Sequence, residues 1–193
     1  MNKTVYVIAG PNGAGKTTFA LEYLQDITGC NNFINVDMIA YGLNPVNPDI
    51  MQLQAGKLFL TELQKSIAKG NSFAFETTLA GKGYIKTLKQ MRADHWQIII
   101  IYLWIPNIDF SVERVKARVE QGGHDIPDSI IQRRFGKSLH NLMNEYMNLT
   151  DKTLIYDNSG VKPVLIFERM GIAENIYNRK KYEDLLRCCD ERR

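Results

Sequence analysis

Short, continuously apolar runs alternate along the chain with longer stretches in which apolar residues recur every three or four positions. The short runs are rich in β-branched and aromatic residues, which is typical of buried strands. In the longer stretches the spacing is helical, as for Leu53, Leu60, Leu63 and Ile67. We therefore expect strands at residues 4–9, 33–36, 72–75, 97–104, 153–156 and 164–167, and helices at residues 17–25, 49–69, 106–122, 127–149 and 172–188.

Strands that alternate with helices favour an α/β fold with a mostly parallel central sheet and helices on both faces. No Gly/Ser-rich linker divides the chain. We predict a single domain over residues 1–193, with a helical lid at about residues 110–137. The Gly-rich turn of this lid, residues 122–128, is expected to be mobile.

The composition fits one globular core, since 45% of the 193 residues are hydrophobic and 23% are charged. The longest apolar run, residues 98–105, is too short to cross a bilayer, and the N-terminal residues do not resemble a signal peptide. Cys30, Cys188 and Cys189 form neither a disulfide framework nor a metal-binding spacing. The net charge of +3 gives no reason to expect nucleic acid. We predict a cytoplasmic protein with no membrane or nucleic-acid partner.

A glycine-rich motif lies between the first predicted strand and the first predicted helix. Residues 10–17, GPNGAGKT, match G-x-x-x-x-G-K-[ST] at every fixed position. Glycines allow backbone N–H groups to converge on an anion, and the following helix adds the positive end of its dipole. In such loops the lysine reaches the β- and γ-phosphates and the threonine hydroxyl binds Mg²⁺. The sequence thus predicts an ATP and Mg²⁺ site that comprises Gly10, Pro11, Asn12, Gly13, Ala14, Gly15, Lys16, Thr17 and Thr18, with Lys16 catalytic and Thr17 as metal ligand.

Two carboxylates follow neighbouring predicted strands. Asp37 comes after the second strand and Glu76 after the third, so both should face the glycine loop at the carboxyl edge of the sheet. Phosphoryl transfer to a hydroxyl uses one carboxylate to accept the proton and others to support Mg²⁺, although either residue could instead cap a helix. Thr77 could bind an acceptor or belong to a turn. No apolar strand ends in the Asp of motor-type ATPases, so support for Mg²⁺ is expected from Asp37, Glu76 or water.

Four arginines flank the predicted lid turn. Arg114 and Arg118 lie one helical turn apart, away from a valine stripe, and Arg133 and Arg134 follow the glycine break. A helical hairpin would bring Arg118 and Arg134 together, where guanidinium groups can stabilise the charge on a transferred phosphoryl group. We predict that Arg118 and Arg134 are catalytic; the alternative is a solvated basic face.

Several segments together resemble the zeta-toxin family of P-loop kinases, and its shorter branch with a Gly-Gly-His lid in particular. They are NVD at 35–37, GLNP at 42–45, FAFETTLAG at 73–81, GGH at 122–124 with the later Arg133 and Arg134, and YDNS at 156–159. The resemblance covers most of the chain and implies a three-layer P-loop NTPase fold. It also implies a kinase that phosphorylates UDP-N-acetylglucosamine and is restrained by an antitoxin protein.

The resemblance further implies a role for each matching residue. Asp37 would be the base on the acceptor hydroxyl, Lys16 and Thr17 would hold ATP and Mg²⁺, Glu76 and Thr77 would face the acceptor, and Arg118 and Arg134 would be lid arginines.

Three functional hypotheses follow from the sequence. The leading one is an ATP-dependent small-molecule kinase that acts on a hydroxyl group, with a nucleotide sugar as the favoured acceptor. The second is a nucleoside, nucleotide or polynucleotide-end kinase, because such enzymes share the loop and the arginine lid. The third is a nucleotide-binding switch or toxin–antitoxin module without acceptor chemistry.

Overall fold

The fold was analysed in a computed structural model, which describes residues 3–120, 122–123 and 125–190. Its strands are β1 (Thr4–Ala9), β2 (Phe33–Ile34), β3 (Phe73–Thr77), β4 (Gln97–Trp104), β5 (Lys152–Asp157), β6 (Val164–Met170) and β7 (Ala173–Ile176). Its α-helices are α1 (Lys16–Thr28), α2 (Val36–Leu43), α3 (Gln52–Lys69), α4 (Ile85–Ala93), α5 (Ile108–Glu120), α6 (Asp128–Asn141) and α7 (Arg179–Asp190). A 3₁₀ turn (Pro48–Met51) precedes α3, and a π-helical turn (Leu142–Tyr146) and a second 3₁₀ turn (Met147–Leu149) follow α6.

Within the described residues, the strands form one sheet in the order β2-β3-β1-β4-β5-β6-β7. The first five strands are parallel and the last two are antiparallel. β1 lies between β3 and β4, and its last residue, Ala9, pairs with Thr77 and Tyr102. The carboxyl ends of these three strands therefore meet at one edge, which is where an open parallel sheet places its ligands.

Apolar side chains on the two faces of the sheet build two core clusters. On β1, Val5 and Val7 belong to the larger cluster and Ile8 to the other. On β4 the pattern is the same, since Ile100 and Ile101 fall in different clusters. Both strands are buried on both faces because helices cover each side, which explains their continuously apolar sequences and confirms the expected α/β fold.

Two helices were not expected from the sequence. α2 begins directly after the short strand β2, because the Asn35 side chain accepts a hydrogen bond from the Met38 N–H at 2.9 Å and caps the helix. Residues 35 and 36 were expected to be strand, and this prediction was wrong. α4 is short, and only Leu88 and Met91 are buried along it, so its helical pattern is weak.

The prediction of a terminal helix over residues 172–188 is wrong for its first part. β6 runs on to Met170, turns at Gly171 with a φ of 61°, and returns as β7. The helix α7 begins only at Arg179, where the Asn178 side chain accepts the Lys181 N–H at 3.1 Å. Hairpin pairing, such as Phe167 with Ile176, here outweighs the local pattern.

The predicted lid corresponds to α5, α6 and the segment that joins them. In this segment, Gln121 and His124 lie outside the described residues, and His124 belongs to the GGH segment of the resemblance. Its mobility and the single-domain boundary remain predictions. Among the described residues, none of the helices has both the length and the apolar character that a bilayer crossing requires.

Burial along α3 provides a test of the fold. Leu63 is 2% exposed in the larger core cluster, whereas Leu60 on the same helix is 54% exposed. We expect Leu63→Ala to lower the free energy of unfolding by about 2–5 kcal/mol, because it leaves a cavity. Leu60→Ala should change it by no more than about 0.5 kcal/mol. Urea denaturation of both variants checks this; equal losses would contradict the packing described.

Candidate active site

The glycine-rich loop, residues 10–17, connects the end of β1 to the start of α1. Gly13 and Gly15 have φ values of 72° and 77°, which glycine adopts without strain. A side chain at Gly13 would begin 2.6 Å from the Ser111 carbonyl oxygen, and one at Gly15 would begin 2.7 Å from Asn158 Nδ2. Glycine is therefore required at both positions, because the backbone has a positive φ and a side chain would collide with a neighbouring residue.

Lys16 begins α1 and is buried at the base of this loop, with 7% of its surface exposed. Its ammonium donates a hydrogen bond to the Pro11 carbonyl at 2.9 Å and lies 3.7 Å from Glu76 Oε1. Burial lowers the pKa of Lys16, although the negative charges of Glu76 and then Asp37 partly oppose the effect. A further negative charge beside this buried ammonium would stabilise it, which suits it to bind an anion.

Thr17, Asn35 and Glu76 form a hydrogen-bonded group beside Lys16. The Thr17 hydroxyl donates to Glu76 Oε2 at 2.7 Å, and Asn35 Nδ2 donates to the same carboxylate oxygen at 2.5 Å and to Thr17 Oγ1 at 3.2 Å. Asn35 is 3% exposed and was not expected in the site. In the structure Asn35 caps α2 and also bonds to Glu76. The sequence feature that could have identified it is an asparagine directly after a strand, a position where this residue often caps a helix.

The predicted acceptor residues Glu76 and Thr77 have different surroundings. Glu76 contacts Lys16 and Thr17, on the side expected for Mg²⁺. Thr77 ends β3, and its hydroxyl accepts the Leu79 N–H at 3.1 Å, so it stabilises the turn that follows. Leu79 itself has a φ of 53°, which marks a tight change of direction.

The remaining loop residues have mainly structural partners. The Asn12 carbonyl accepts the Ser111 hydroxyl at 2.5 Å, and the Ala14 carbonyl accepts Asn158 Nδ2 at 2.7 Å. Thr18, further along α1, lines the adjacent pocket. Gly10 lies where β1 passes the Leu103 backbone, too close for any side chain.

Asp37 lies in the first turn of α2 and is half-buried. It is near enough to raise the pKa of Lys16 through its charge. The Asn35 side chain holds the same turn next to Glu76. Asp37 thus lies near Lys16, and its role as a base stays a prediction.

Arg118 and Arg134 are both half-buried but differ in position. Arg118 lines the pocket beside Lys16, and its positive charge lowers the pKa of that lysine. Gly123 packs on the Arg118 side chain, since a Cβ there would begin 2.6 Å from its Cγ. Arg134 lies on α6 and is not among the residues that line this pocket within the described chain.

Arg114 lies one turn before Arg118 and contacts the segment after β5. Its guanidinium donates to the Asn158 carbonyl at 2.8 Å and to the Ser159 carbonyl at 3.3 Å, and it stacks on the Phe110 ring at 4.4 Å. Burial lowers the pKa of Arg114, opposed by the charge of Asp157.

An open pocket of about 420 Å³ extends from the glycine-rich loop between α5 and the β5–β6 connection. Its polar lining includes Lys16, Thr17 and Glu76. Its apolar lining includes Val115, Ala117, Val161 and Pro163. The pocket can therefore take a molecule that carries both an anionic group and a less polar part.

Asp157 ends β5, one residue beyond the strand expected at residues 153–156. Its side chain is not directed to the glycine-rich loop: Oδ1 accepts the Ser159 N–H at 3.0 Å and Oδ2 pairs with Lys181 at 3.0 Å. Burial alone would raise the pKa of Asp157, but hydrogen bonds from Ser159 and Lys181 outweigh it and lower the pKa. The carboxylate therefore anchors α7 to the segment beside the pocket.

Helix α6 and the π-helical turn hold the segment after β3. Ser138 donates to the Thr78 carbonyl at 2.6 Å, Asn141 to the Leu79 carbonyl at 2.8 Å, and the Tyr146 hydroxyl to the Gly81 carbonyl at 2.7 Å. Ser138 also bonds to the Tyr102 hydroxyl on β4 at 2.9 Å. The strand end that carries Glu76 and Thr77 is thereby tied to the helix after the predicted lid turn.

Comparison with known sequences shows a relative in Haemophilus influenzae. An uncharacterized protein of Haemophilus influenzae is 31% identical over 134 residues, which are 69% of this chain and 93% of that protein. No protein-family model matches the chain.

Comparison with solved structures shows the fold. A chain of the AvrRxo1-ORF1:AvrRxo1-ORF2 complex, crystallised with ATP, superposes with a TM-score of 0.70 at 16% identity over 95% of this chain, which spans 63% of that chain. A chain of the PezAT chromosomal toxin–antitoxin system of Streptococcus pneumoniae superposes with a TM-score of 0.61 at 14% identity, covering 97% of this chain and 84% of its own. A gluconokinase of Sinorhizobium meliloti superposes with a TM-score of 0.51 at 16% identity, covering 82% of this chain and 83% of the gluconokinase chain. The three-layer P-loop NTPase fold is thus confirmed.

The Asp157–Lys181 pair predicts a pH dependence of stability. Because the pKa of Asp157 is lowered in the folded state, its carboxylate stabilises the fold above the ordinary pKa of about 4, and this contribution disappears as the pH falls through the lowered value. We expect Lys181→Met to lower the free energy of unfolding by about 1 kcal/mol at pH 7 and by much less below pH ~3.

Urea denaturation between pH 7 and 3 measures this difference. Lys180→Met, at the exposed neighbouring position, serves as the control and should show no such trend. A stability difference for Lys181→Met that is the same at every pH would contradict the assignment.

Proposed function

This chain belongs to the same family as the uncharacterized Haemophilus influenzae protein, and from its site we propose a kinase that transfers the γ-phosphoryl group of ATP to a hydroxyl of a small molecule. The observation that carries the proposal is the cluster of Lys16, Thr17 and Glu76 at the carboxyl edge of the sheet, with a 2.7 Å bond from Thr17 to Glu76. These groups lie at the base of a glycine-rich loop whose amides can converge on phosphate.

ATP would lie along the pocket with its phosphates in the glycine-rich loop. The Lys16 ammonium, which burial removes from water, would bind the β- and γ-phosphates. The base would contact the less polar lining residues Ala117, Val161 and Pro163. The N-terminus of α1 supports placing the phosphates at the loop. Within the described residues no side chain caps it, so its backbone N–H groups can bind an anion.

The residues present fit a magnesium ion. Mg²⁺ takes oxygen ligands, usually one or two from the protein and the rest from phosphates and water. Thr17 Oγ1 and Glu76 Oε2, 2.7 Å apart, are such oxygens, and Asn35 holds both in place. Thr17 would bind the ion and Glu76 would bind it directly or through water. When bound, the ion would neutralise charge on the β- and γ-phosphate oxygens.

Asp37 would orient the acceptor hydroxyl and accept its proton. It is a half-buried carboxylate near Lys16 and lies at the start of a helix that Asn35 fixes. Arg118, which lines the pocket beside Lys16, would stabilise the charge on the transferred group, and Arg134 would join it when the lid closes.

A nucleotide sugar such as UDP-N-acetylglucosamine is the favoured acceptor, on the strength of the sequence segments shared with zeta toxins. A nucleoside, a nucleotide or a polynucleotide end is the second candidate. An antitoxin-like protein partner is a further proposal, supported by the two-protein composition of the AvrRxo1-ORF1:AvrRxo1-ORF2 and PezAT structures.

The proposed base can be tested through ADP formation. The protein is assayed with ATP and Mg²⁺, alone and with UDP-N-acetylglucosamine, other sugars, nucleosides, nucleotides and oligonucleotides. We expect one acceptor class to stimulate ADP release. Asp37→Asn should lower this stimulated kcat about 100-fold or more while ATP affinity changes little, because only proton acceptance is lost.

Asp26→Asn is the matched control, since Asp26 is exposed on α1, and it should retain full activity. An unchanged rate for Asp37→Asn would refute its role as base. ATP binding without stimulation by any acceptor class would favour a nucleotide-binding switch over a kinase.

The metal assignment gives a separate prediction. Thr17→Val keeps the side-chain shape but removes the hydroxyl, so half-maximal turnover should need at least about tenfold more Mg²⁺. A magnesium titration of the ATP-consuming activity measures this. Thr61→Val, on exposed α3 surface, should leave the titration unchanged. Identical titrations for Thr17→Val and the wild type would rule out Thr17 as a ligand.

A further inference from the structure

Two carbonyl groups of the glycine-rich loop are held from outside by side chains on other elements. Asn158, after β5, donates from Nδ2 to the Ala14 carbonyl at 2.7 Å. Ser111, on α5, donates from its hydroxyl to the Asn12 carbonyl at 2.5 Å. We propose that Asn158 and Ser111 are positioning residues, which fix the loop so that the N–H groups of Gly15 and Gly13 face the phosphates. This inference rests on the proposed binding of ATP.

The planarity of the peptide bond gives the physical reason. In a trans peptide, the carbonyl of one residue and the N–H of the next point in opposite directions. A hydrogen bond that draws the Ala14 carbonyl toward Asn158 therefore turns the Gly15 N–H away from Asn158. The bond from Ser111 to Asn12 does the same for the Gly13 N–H. Glycine allows many backbone directions, so the choice among them has to come from such contacts.

Steric contact reinforces both hydrogen bonds. The Asn158 amide nitrogen lies 2.7 Å from the place where a Gly15 side chain would begin, and the Ser111 backbone oxygen lies 2.6 Å from the same place on Gly13. Each positioning residue therefore touches the glycine whose N–H it directs. Ser111 is fully buried, so its hydroxyl is not diverted to water.

Asn158 is itself held by hydrogen bonds with two residues. Its N–H donates to the Trp104 carbonyl on β4 at 2.9 Å, and Arg114 donates to its carbonyl at 2.8 Å. The adjoining Asp157 bonds to Ser159 and Lys181. Arg114 lies one turn after Ser111 on α5. Helix α5 therefore contacts the loop through Ser111 and the β5–β6 connection through Arg114, and so it joins the two positioning residues. Arg114 thus affects the glycine-rich loop by holding Asn158 in position.

The test compares ATP affinity with the order of the loop. Calorimetry with Mg²⁺-ATP gives Kd, and hydrogen exchange of the ATP-free protein reports on the amides of residues 10–17. Asn158→Ala and Ser111→Ala should each raise Kd about tenfold and accelerate exchange in the loop, because one neutral hydrogen bond is lost. Asn158→Asp keeps the size, cannot donate, and adds negative charge near the phosphates, so it should raise Kd further.

The matched control is Asn178→Ala, which removes the cap of α7 and destabilises the protein without touching the loop. It should leave Kd and loop exchange unchanged. Wild-type Kd and exchange in both alanine variants would overturn the proposal, as would the same changes in Asn178→Ala. If the wild type does not bind ATP, the proposed function fails, but loop exchange still decides whether Asn158 and Ser111 order the loop.

A double variant tests whether Arg114 acts through Asn158. Arg114→Lys keeps the charge but loses the pair of guanidinium hydrogen bonds to the Asn158 and Ser159 carbonyls. In the Asn158→Ala background it should add little further loss of ATP affinity, because both changes act through one contact. Fully additive losses would show that Arg114 acts on the nucleotide directly, and would overturn its role through Asn158.

Discussion

The buried ammonium group of Lys16, at the base of the glycine-rich loop, is the constraint on which the candidate site depends. Lys16 is almost inaccessible to water, and burying a charge is unfavourable unless other groups compensate for it. The Pro11 carbonyl and Glu76 provide this compensation in part. Glu76 in turn needs Asn35 and Thr17 as hydrogen-bond donors, and Asn35 also starts α2. One buried charge thus links the glycine-rich loop, β3 and the helix that carries Asp37.

The parts of the fold that the sequence predicted are those in which local pattern and tertiary environment agree. β4 matches the expected residues 97–104 because a central strand buried on both faces is continuously apolar. α2 was missed because its apolar residues, interrupted by Gly42, extend an apolar strand without a change of period. β7 was missed because all four of its residues are exposed, so that pairing with β6, rather than burial, defines it.

The same distinction applies to the candidate site. The glycine-rich loop is contiguous in sequence, so its motif could be found directly, and its spacing identified Lys16 and Thr17. Asn158 could not be found in this way, because it bonds to Ala14 across 144 positions, and nothing in its local sequence reports that contact. Glu76 was expected at the correct edge, but its neighbours Thr17 and Asn35 became clear only from the packed strands. Spacing thus predicted which groups are present, whereas only the fold gave their partners.

The contacts of α6 would limit the ways in which the predicted lid could close. Ser138 bonds at once to the segment after β3 and to β4, and Asn141 and the π-helical turn extend that attachment. Arg134 lies one helical turn before Ser138, on the part of α6 that leads to the lid turn. The C-terminal half of α6 is therefore fixed to the sheet. In the proposed closure, Arg134 would approach a bound phosphate only through movement of the first two turns of α6 relative to Ser138, and that movement would be small because this part of the helix is short.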